Sequence, residues 1–201
     1  MSTTPAGSSP LLRYTDRRVL VTGGGSGIGQ ACVLRILGEG GRVVAADIST
    51  DGLADTVDKA GELGDALSTV LMDVGDEGSV SNGVAEATTT LGGLDTLVNA
   101  AGILRSAHLA DTTLADFEQV LRINLIGTFL VTRGAIAALH DGSGPAVVNF
   151  SSTSAQFAHP YMAAYAASKG GVLAMTTRGR WNSPRRASGS IAFNRAPFRP
   201  G

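Results

Sequence analysis

The chain has 201 residues, is 43% hydrophobic and 16% charged, and carries a formal net charge of -1. That length suits one domain with enough interior to fold alone, and the composition excludes intrinsic disorder. The near-zero charge offers nothing to nucleic acid or an anionic membrane, and no uninterrupted apolar run approaches the ~20 residues of a membrane span. Cys32 is the only cysteine, so no internal disulfide forms and a reducing, cytoplasmic setting is expected.

Residues 1–15 open on a Ser/Thr/Pro/Gly-rich stretch without an apolar signal core and are expected as a flexible tail. Residues 18–22 form a short apolar run that ends in glycines, the pattern of a buried strand. Residues 27–39 have helical spacing, with Ile28, Ala31, Val33, Leu34 and Leu37 on the apolar side. Strands at 42–47, 67–73, 95–99 and 145–151 then alternate with helices at 51–64, 76–91, 113–139 and 162–177. The helix at 113–139 carries Leu114, Phe117, Val120, Leu121, Leu125, Phe129 and Ile136. Five apolar strands separated by helices predict a parallel sheet covered on both faces. Right-handed crossovers make it a doubly wound α/β domain, a Rossmann fold spanning 16–177.

Residues 22–29 read Thr-Gly-Gly-Gly-Ser-Gly-Ile-Gly, between the first strand and the first helix. Glycines there permit a tight turn and close backbone approach to a pyrophosphate, and the helix start offers free N–H groups and a positive dipole end. A glycine cluster alone is also compatible with a plain flexible turn; its position directly after the first strand favours the phosphate loop, with Thr22, Gly23, Ser26, Gly27, Ile28 and Gly29 as its residues. Asp47 closes the second strand, 18 positions after Gly29. A carboxylate there accepts hydrogen bonds from adenosine ribose hydroxyls and repels a 2′-phosphate, and neither Ser26 nor Ile48 supplies a compensating cation. NAD is therefore expected over NADP; the alternative is a strand-end Asp that caps the next turn.

Tyr165 and Lys169 are four positions apart and share a helix face, and Ser152 lies 13 positions before Tyr165. A free phenol titrates near ~10, too high for a base at neutral pH. A neighbouring ammonium favours the phenolate, which then exchanges a proton with a substrate hydroxyl or carbonyl. Ser152 follows the fifth strand and can hydrogen-bond the same oxygen, whereas Ser151 is offset by one position and ranks below it. Taken alone, a Tyr-x-x-x-Lys pair is more often a surface feature. His108, His140 and His159 are scattered and lack ligand spacing, so no metal site is expected. His159 precedes Tyr165 and either faces substrate or is an ordinary loop residue. Cys32 belongs to core packing.

Taken together, these segments resemble the short-chain dehydrogenase/reductase family, in order, from about residue 17 to 177. Asp73 and Val74 look like its pair beside the adenine. Asn99, Ala100, Ala101 and Gly102 are similar to its Asn-Asn-Ala-Gly motif, with Ala100 in the second place. Asn124 matches the Asn of its catalytic tetrad, and Ser152, Tyr165 and Lys169 match the other three. The resemblance implies that Tyr165 is the general acid/base and that Lys169 lowers its pKa and holds the nicotinamide ribose. It implies that Ser152 orients the substrate carbonyl and that Asn124 helps hold a water linking Lys169 to solvent. The implied substrate is a secondary alcohol or ketone. It also implies that the helices at 113–139 and 162–177 pair across a two-fold to build a homodimer or homotetramer.

After Thr177 the periodicity disappears: residues 178–201 hold six arginines and three prolines and no Asp or Glu. A family member continues to a sixth strand, a Pro-Gly turn and a seventh strand, so this segment reads as an aberrant tail on a C-terminally truncated domain, with 191–193 as a short substitute strand. Trp is encoded only by TGG and Asn182 begins AA, so the frame starting at the last base of the Trp181 codon must read Glu. Codon degeneracy then permits a run containing Gln-Gly-Ile-Arg-Val-Asn-Cys-Val-Gln-Pro-Gly, as the family expects. A frameshift near 178–180 accounts for this; a divergent Arg-rich tail is the alternative. Three functions compete: an NAD-dependent oxidoreductase, a truncated remnant that binds nucleotide and turns over little, and a binding module without chemistry. The complete tetrad disfavours the last. The nucleotide sequence over codons 178–181 tests the frameshift: a single-base change there must restore a long open frame, and its failure to do so refutes the idea.

Overall fold

The computed structural model describes residues 12–178 and 189–193. Its strands are β1 (Arg18–Thr22), β2 (Arg42–Asp47), β3 (Leu67–Leu71), β4 (Thr96–Asn99), β5 (Ala146–Phe150) and β6 (Gly189–Phe193). Its α-helices are α1 (Gly27–Gly38), α2 (Thr50–Ala60), α3 (Glu77–Leu91), α4 (Leu114–Leu121), α5 (Gly127–His140) and α6 (Ala163–Arg178). All strand pairs are parallel, in the order β3-β2-β1-β4-β5-β6. The doubly wound α/β sheet expected from the alternation is therefore present.

The central strands β1, β2 and β4 are mostly apolar because both of their faces are covered, whereas β3 leaves Thr69 and Leu71 exposed. In β1, Val19 and Val21 pack with Val33, Ile36 and Leu37 of α1 and Leu53 of α2. The alternate residue Leu20 points the other way, into a core with Val80 and Val84 of α3 and Val131, Ala135 and Leu139 of α5. Side-chain caps set three helix starts: Ser49 accepts from Gly52 N, Asp76 from Ser79 N and Thr113 from Asp116 N. At the opposite end of the sheet, the Asp95 carboxylate takes two hydrogen bonds from the Arg18 guanidinium, at 2.9 and 2.8 Å, and one from Ser143 N at 2.7 Å. The adjacent guanidinium holds its carboxyl well below the usual carboxylate range.

A buried polar ladder joins four elements. Asn99 Nδ2 of β4 donates to Asn149 Oδ1 of β5 at 2.8 Å and to Thr132 Oγ1 of α5 at 3.0 Å. Asn149 Nδ2 donates in turn to Thr176 Oγ1 of α6 at 3.0 Å. Of this set, the Asn99 Oδ1 has no hydrogen-bond partner among the described residues. Each buried bond left unmade costs about 1–3 kcal/mol, so the ladder fixes α6 against the sheet.

Several expectations need correction. The tail ends earlier than residue 15: Tyr14 N donates to Glu39 O at 3.0 Å and Arg13 pairs with Glu39. The helix expected at 51–64 stops at Ala60, where Gly61 takes a left-handed φ of 51° and a 3-10 turn, Gly61–Ala66, follows. The single helix expected at 113–139 is divided by a π turn, Arg122–Ile126, between α4 and α5. Read as one helix, Leu114–His140 is 27 residues long and holds an 18-residue window of mean hydropathy 1.4, enough by length and composition to cross a membrane, yet Val131, Ala135 and Leu139 lie in the core. Periodicity also put too much on the inner faces: Ile28, Leu114, Phe129 and Ile136 are exposed. The five strands of the alternation are joined by a sixth, Gly189–Phe193, which contains the substitute strand expected at 191–193 and pairs in parallel with β5. Residues 179–188 and 194–201, Trp181 included, lie outside the described residues.

Candidate active site

β1 lies between β2 and β4, so its crossovers leave in opposite directions and a crevice opens at the carboxyl ends of β1 and β4. A cleft of about 550 Å³ occupies this place. One wall is the loop after β1, with Gly23, Ser26, Gly27, Ile28 and Gly29. Asp47, Ile48, Asp73 and Val74 line one end, and Tyr165 and Lys169 the other, with Ala100 and Gly102 between them.

The loop's glycines are sterically required. Gly23 has φ +70°, and a Cβ there would stand 2.7 Å from Ala101 N. A Cβ on Gly29 would fall 2.0 Å from the carbonyl oxygen of Gly23. The helix therefore begins in contact with the turn that precedes it. Its N-cap residue, Ser26, makes no side-chain capping bond, unlike Ser49, Asp76 and Thr113. The first-turn amides of α1 are left for a ligand in the cleft. Asp47 is held ready beside them: Oδ2 accepts from Gly25 N at 3.0 Å and Oδ1 from Ser49 N at 3.0 Å. Each carboxylate oxygen keeps a further lone pair for a hydroxyl donor. Open helix amides, a glycine wall without side chains and a fixed carboxylate fit a dinucleotide.

At the other end, α6 presents Tyr165 and Lys169 on one face. Lys169 Nζ donates to Phe150 O at 2.8 Å and lies 5.7 Å from the centroid of the Tyr165 ring. The ammonium thus faces the ring, and its nearest bonded oxygen is a main-chain carbonyl. Burial lowers the Lys169 pKa to about 8. Ser151 lines the cleft, but its hydroxyl donates to Lys169 O at 2.9 Å. The Ser152 Oγ accepts from Ser154 N at 3.2 Å, which leaves its own O–H to donate elsewhere.

Four expected site residues do not line the cleft. Thr22 is buried, and its Oγ1 accepts from Ala101 N at 3.3 Å. Asn99 belongs to the polar ladder described above. Asn124 is fully buried in the π turn, where Oδ1 accepts from Ile103 N at 2.8 Å and Nδ2 donates to Ile103 O at 2.9 Å and Ser168 Oγ at 3.1 Å. Ser152 is buried next to the lining residue Ser151 in the chain. His159 pairs with Thr153 at 3.3 Å. Ile103, Leu104, Gln119 and Ile123 do line the cleft and were not anticipated. Ile103 and Leu104 lie in the loop that leaves β4, four and five residues past Asn99, so their place past a strand end at the crevice was a usable signal; Gln119 and Ile123 carried none.

The fold and cleft define a dinucleotide-binding α/β protein of the Rossmann type. The sequence profile described as short chain dehydrogenase matches residues 17–185, and the chain belongs to that family. It is 36% identical over 176 residues to a levodione reductase of Leifsonia aquatica, covering 85% of this chain and 65% of that protein. It is 34% identical to a D-threitol dehydrogenase of Mycolicibacterium smegmatis, covering 82% of this chain and 63% of the relative. Among solved structures, levodione reductase superposes with a TM-score of 0.78 at 32% identity, covering 83% of this chain and 66% of that one. The chain thus spans somewhat less than two thirds of the length of these two curated relatives.

The buried ammonium yields a pH test. Lys169 binds its proton less tightly when folded than in the unfolded chain, so between about pH 8 and 10 the unfolded state holds more protons and stability rises with pH. Lys169→Met removes the buried charge. The variant's melting temperature should exceed that of the wild type at pH 7, and the gap should narrow as pH rises through 8. A gap that stays constant from pH 7 to 10 would refute the assignment.

Proposed function

We propose that this chain is an NAD-dependent oxidoreductase that interconverts a secondary alcohol and a ketone. The carrying observation is the shared cleft, which has a carboxylate and open helix amides at Asp47 and α1 and a Tyr165/Lys169 pair at its far end. Bound nicotinamide dinucleotide supplies the hydride chemistry. Tyr165 takes the substrate hydroxyl proton as the alcohol is oxidised and returns it to the carbonyl oxygen in the reverse direction. Ser152 donates its unused O–H to the same oxygen. Ser151 cannot take that role while its proton is held by Lys169 O. Lys169 places its positive charge over the Tyr165 ring and holds the nicotinamide ribose. Asn124 ties the backbone of Ile103 to α6 through Ser168, and so sets the wall opposite Tyr165. Asp47, with no neighbouring cation in Ser26 or Ile48, selects NAD over NADP. Asp73, Val74, Ala100 and Gly102 complete the nucleotide wall.

A second reading is nucleotide binding with little turnover. It is favoured by the nucleotide end, where the open amides of α1 and the fixed Asp47 carboxylate suffice for binding without any chemistry at Tyr165. Turnover of a panel of secondary alcohols, followed by NADH absorbance, separates the two. Tyr165→Phe should reduce any turnover by at least about 10²-fold, the scale of a lost general base, with NAD binding nearly unchanged. Asp47→Ala should weaken NAD more than NADP. Full activity in the first variant, or equal losses in the second, would remove the corresponding role.

We also propose self-association through the α4–α5 and α6 helices, in a reducing cytoplasmic setting suited to the lone Cys32. Ile126, Phe129 and Ile136 are 41%, 41% and 43% exposed along one helical stretch, an unusual amount of apolar surface to leave in water. Light scattering should give at least twice the 20.4 kDa chain mass, and Phe129→Asp should reduce it to one. A wild-type protein of single-chain mass would sink this part.

A further inference from the structure

Gly24 and Gly25 do not line the cleft, although they sit in the middle of its glycine wall. Both are buried from behind. A Cβ on Gly24 would meet the Ala45 side chain of β2 at 2.8 Å, and one on Gly25 would meet the Asp47 carboxylate at 3.0 Å and Gly52 C at 3.1 Å. The contact is mutual, since a Cβ on Gly52 would stand 2.8 Å from Gly25 O. One turn further along α2, Thr56 is fully buried. Its Oγ1 lies 2.9 Å from Gly24 O, a bond across 32 residues, and 2.9 Å from Gly52 O within its own helix. Gln30 Nε2 of α1 donates to the same Oγ1 at 2.9 Å, which occupies a lone pair and turns the hydroxyl proton toward the carbonyls.

We propose that Gly52 and Thr56 of α2 are positioning residues for the phosphate loop: they fix the Gly24–Gly25 backbone from behind and thereby set the dinucleotide affinity of the cleft. The affinity part rests on the dinucleotide reading above. The chain of contacts runs from Thr56 to Gly24 O, across that same peptide group to Gly25 N, and on to Asp47 Oδ2. A shift of the loop therefore moves the ribose-binding carboxylate and the helix amides together. Neither residue touches the cleft, so sequence motifs give no hint of either.

Thr56→Val keeps the side-chain shape and removes the hydroxyl, leaving Gly24 O without its buried donor. Calorimetric titration should show NAD+ bound about tenfold more weakly, the scale of one buried hydrogen bond, while Thr56→Ser stays within about twofold of wild type. Gly52→Ala favours the helix and so keeps the fold, but its methyl group presses on Gly25 O; it should weaken NAD+ comparably without lowering the melting temperature of the free protein by more than a few degrees. In the absence of nucleotide, the amide resonances of residues 24–29 should shift in Thr56→Val and Gly52→Ala. A Thr56→Val affinity within about twofold of wild type, or a Thr56→Ser loss equal to that of Thr56→Val, overturns the proposal. Unmoved loop amides overturn it whether or not NAD+ binds. A wild type that ignores NAD+ sinks the functional reading instead, and the amide shifts then decide the brace alone.

Discussion

The first helix and the turn that feeds it are in backbone contact, with no space at Gly29 for even one side-chain carbon. This closeness is the constraint on which the site depends. It aims the amides of α1 into the crevice and brings the loop within reach of Ala101 on the neighbouring strand's exit. It also leaves the loop's outer surface to be supported by β2 and α2. A residue with a side chain at either Gly23 or Gly29 would push the helix away from the sheet, and the core that Val33, Ile36 and Leu37 share with Val19 and Val21 would open with it.

The end of the cleft at Tyr165 and Lys169 is held by different means. There the chain uses buried polar groups in place of close backbone contact: Asn99, Asn149 and Thr176 join two strands to α6, and Asn124 with Ser168 joins α6 to the loop after β4. Such bonds are directional, and a helix tied by several of them cannot rotate about its axis without leaving donors unpaired. Tyr165 and Lys169 owe their orientation to this network. The ammonium of Lys169 is buried at a cost that its bond to Phe150 O only partly offsets, as its lowered pKa records.

β1, β2, β4 and β5 were legible because each is a mainly apolar run between turn residues, and the glycine loop because its position after β1 gives the glycines a mechanism. Tyr165 and Lys169 were legible because four-residue spacing on a helix puts two side chains together in any fold. Burial was less so. Leu114, Phe129 and Ile136 have the spacing of a core face, yet the π turn at Arg122–Ile126 changes the helical phase between α4 and α5, and a repeat counted straight through it misplaces the inner face. Asn99 and Asn124 were read as site residues from a motif; the motif does not say that their side chains turn inward, because that depends on partners such as Asn149, Ser168 and Ile103 supplied by distant segments. Thr56 and Gly52 had no signal at all, since a residue that acts on the back of a loop has no spacing relation to its front.

The strand order has a consequence for how the molecule comes into being. β1 is central and needs two neighbours, but β4 arrives late: Arg18 and Asp95, which pin the two strands together, are 77 residues apart in the chain. A nascent chain that has made β1, β2 and β3 has only half a sheet, with the apolar edge of β1 bare until residue 99 has left the ribosome. Non-local parallel pairing of this kind folds slowly and exposes sticky edges on the way. The protein is therefore most vulnerable midway through its own synthesis.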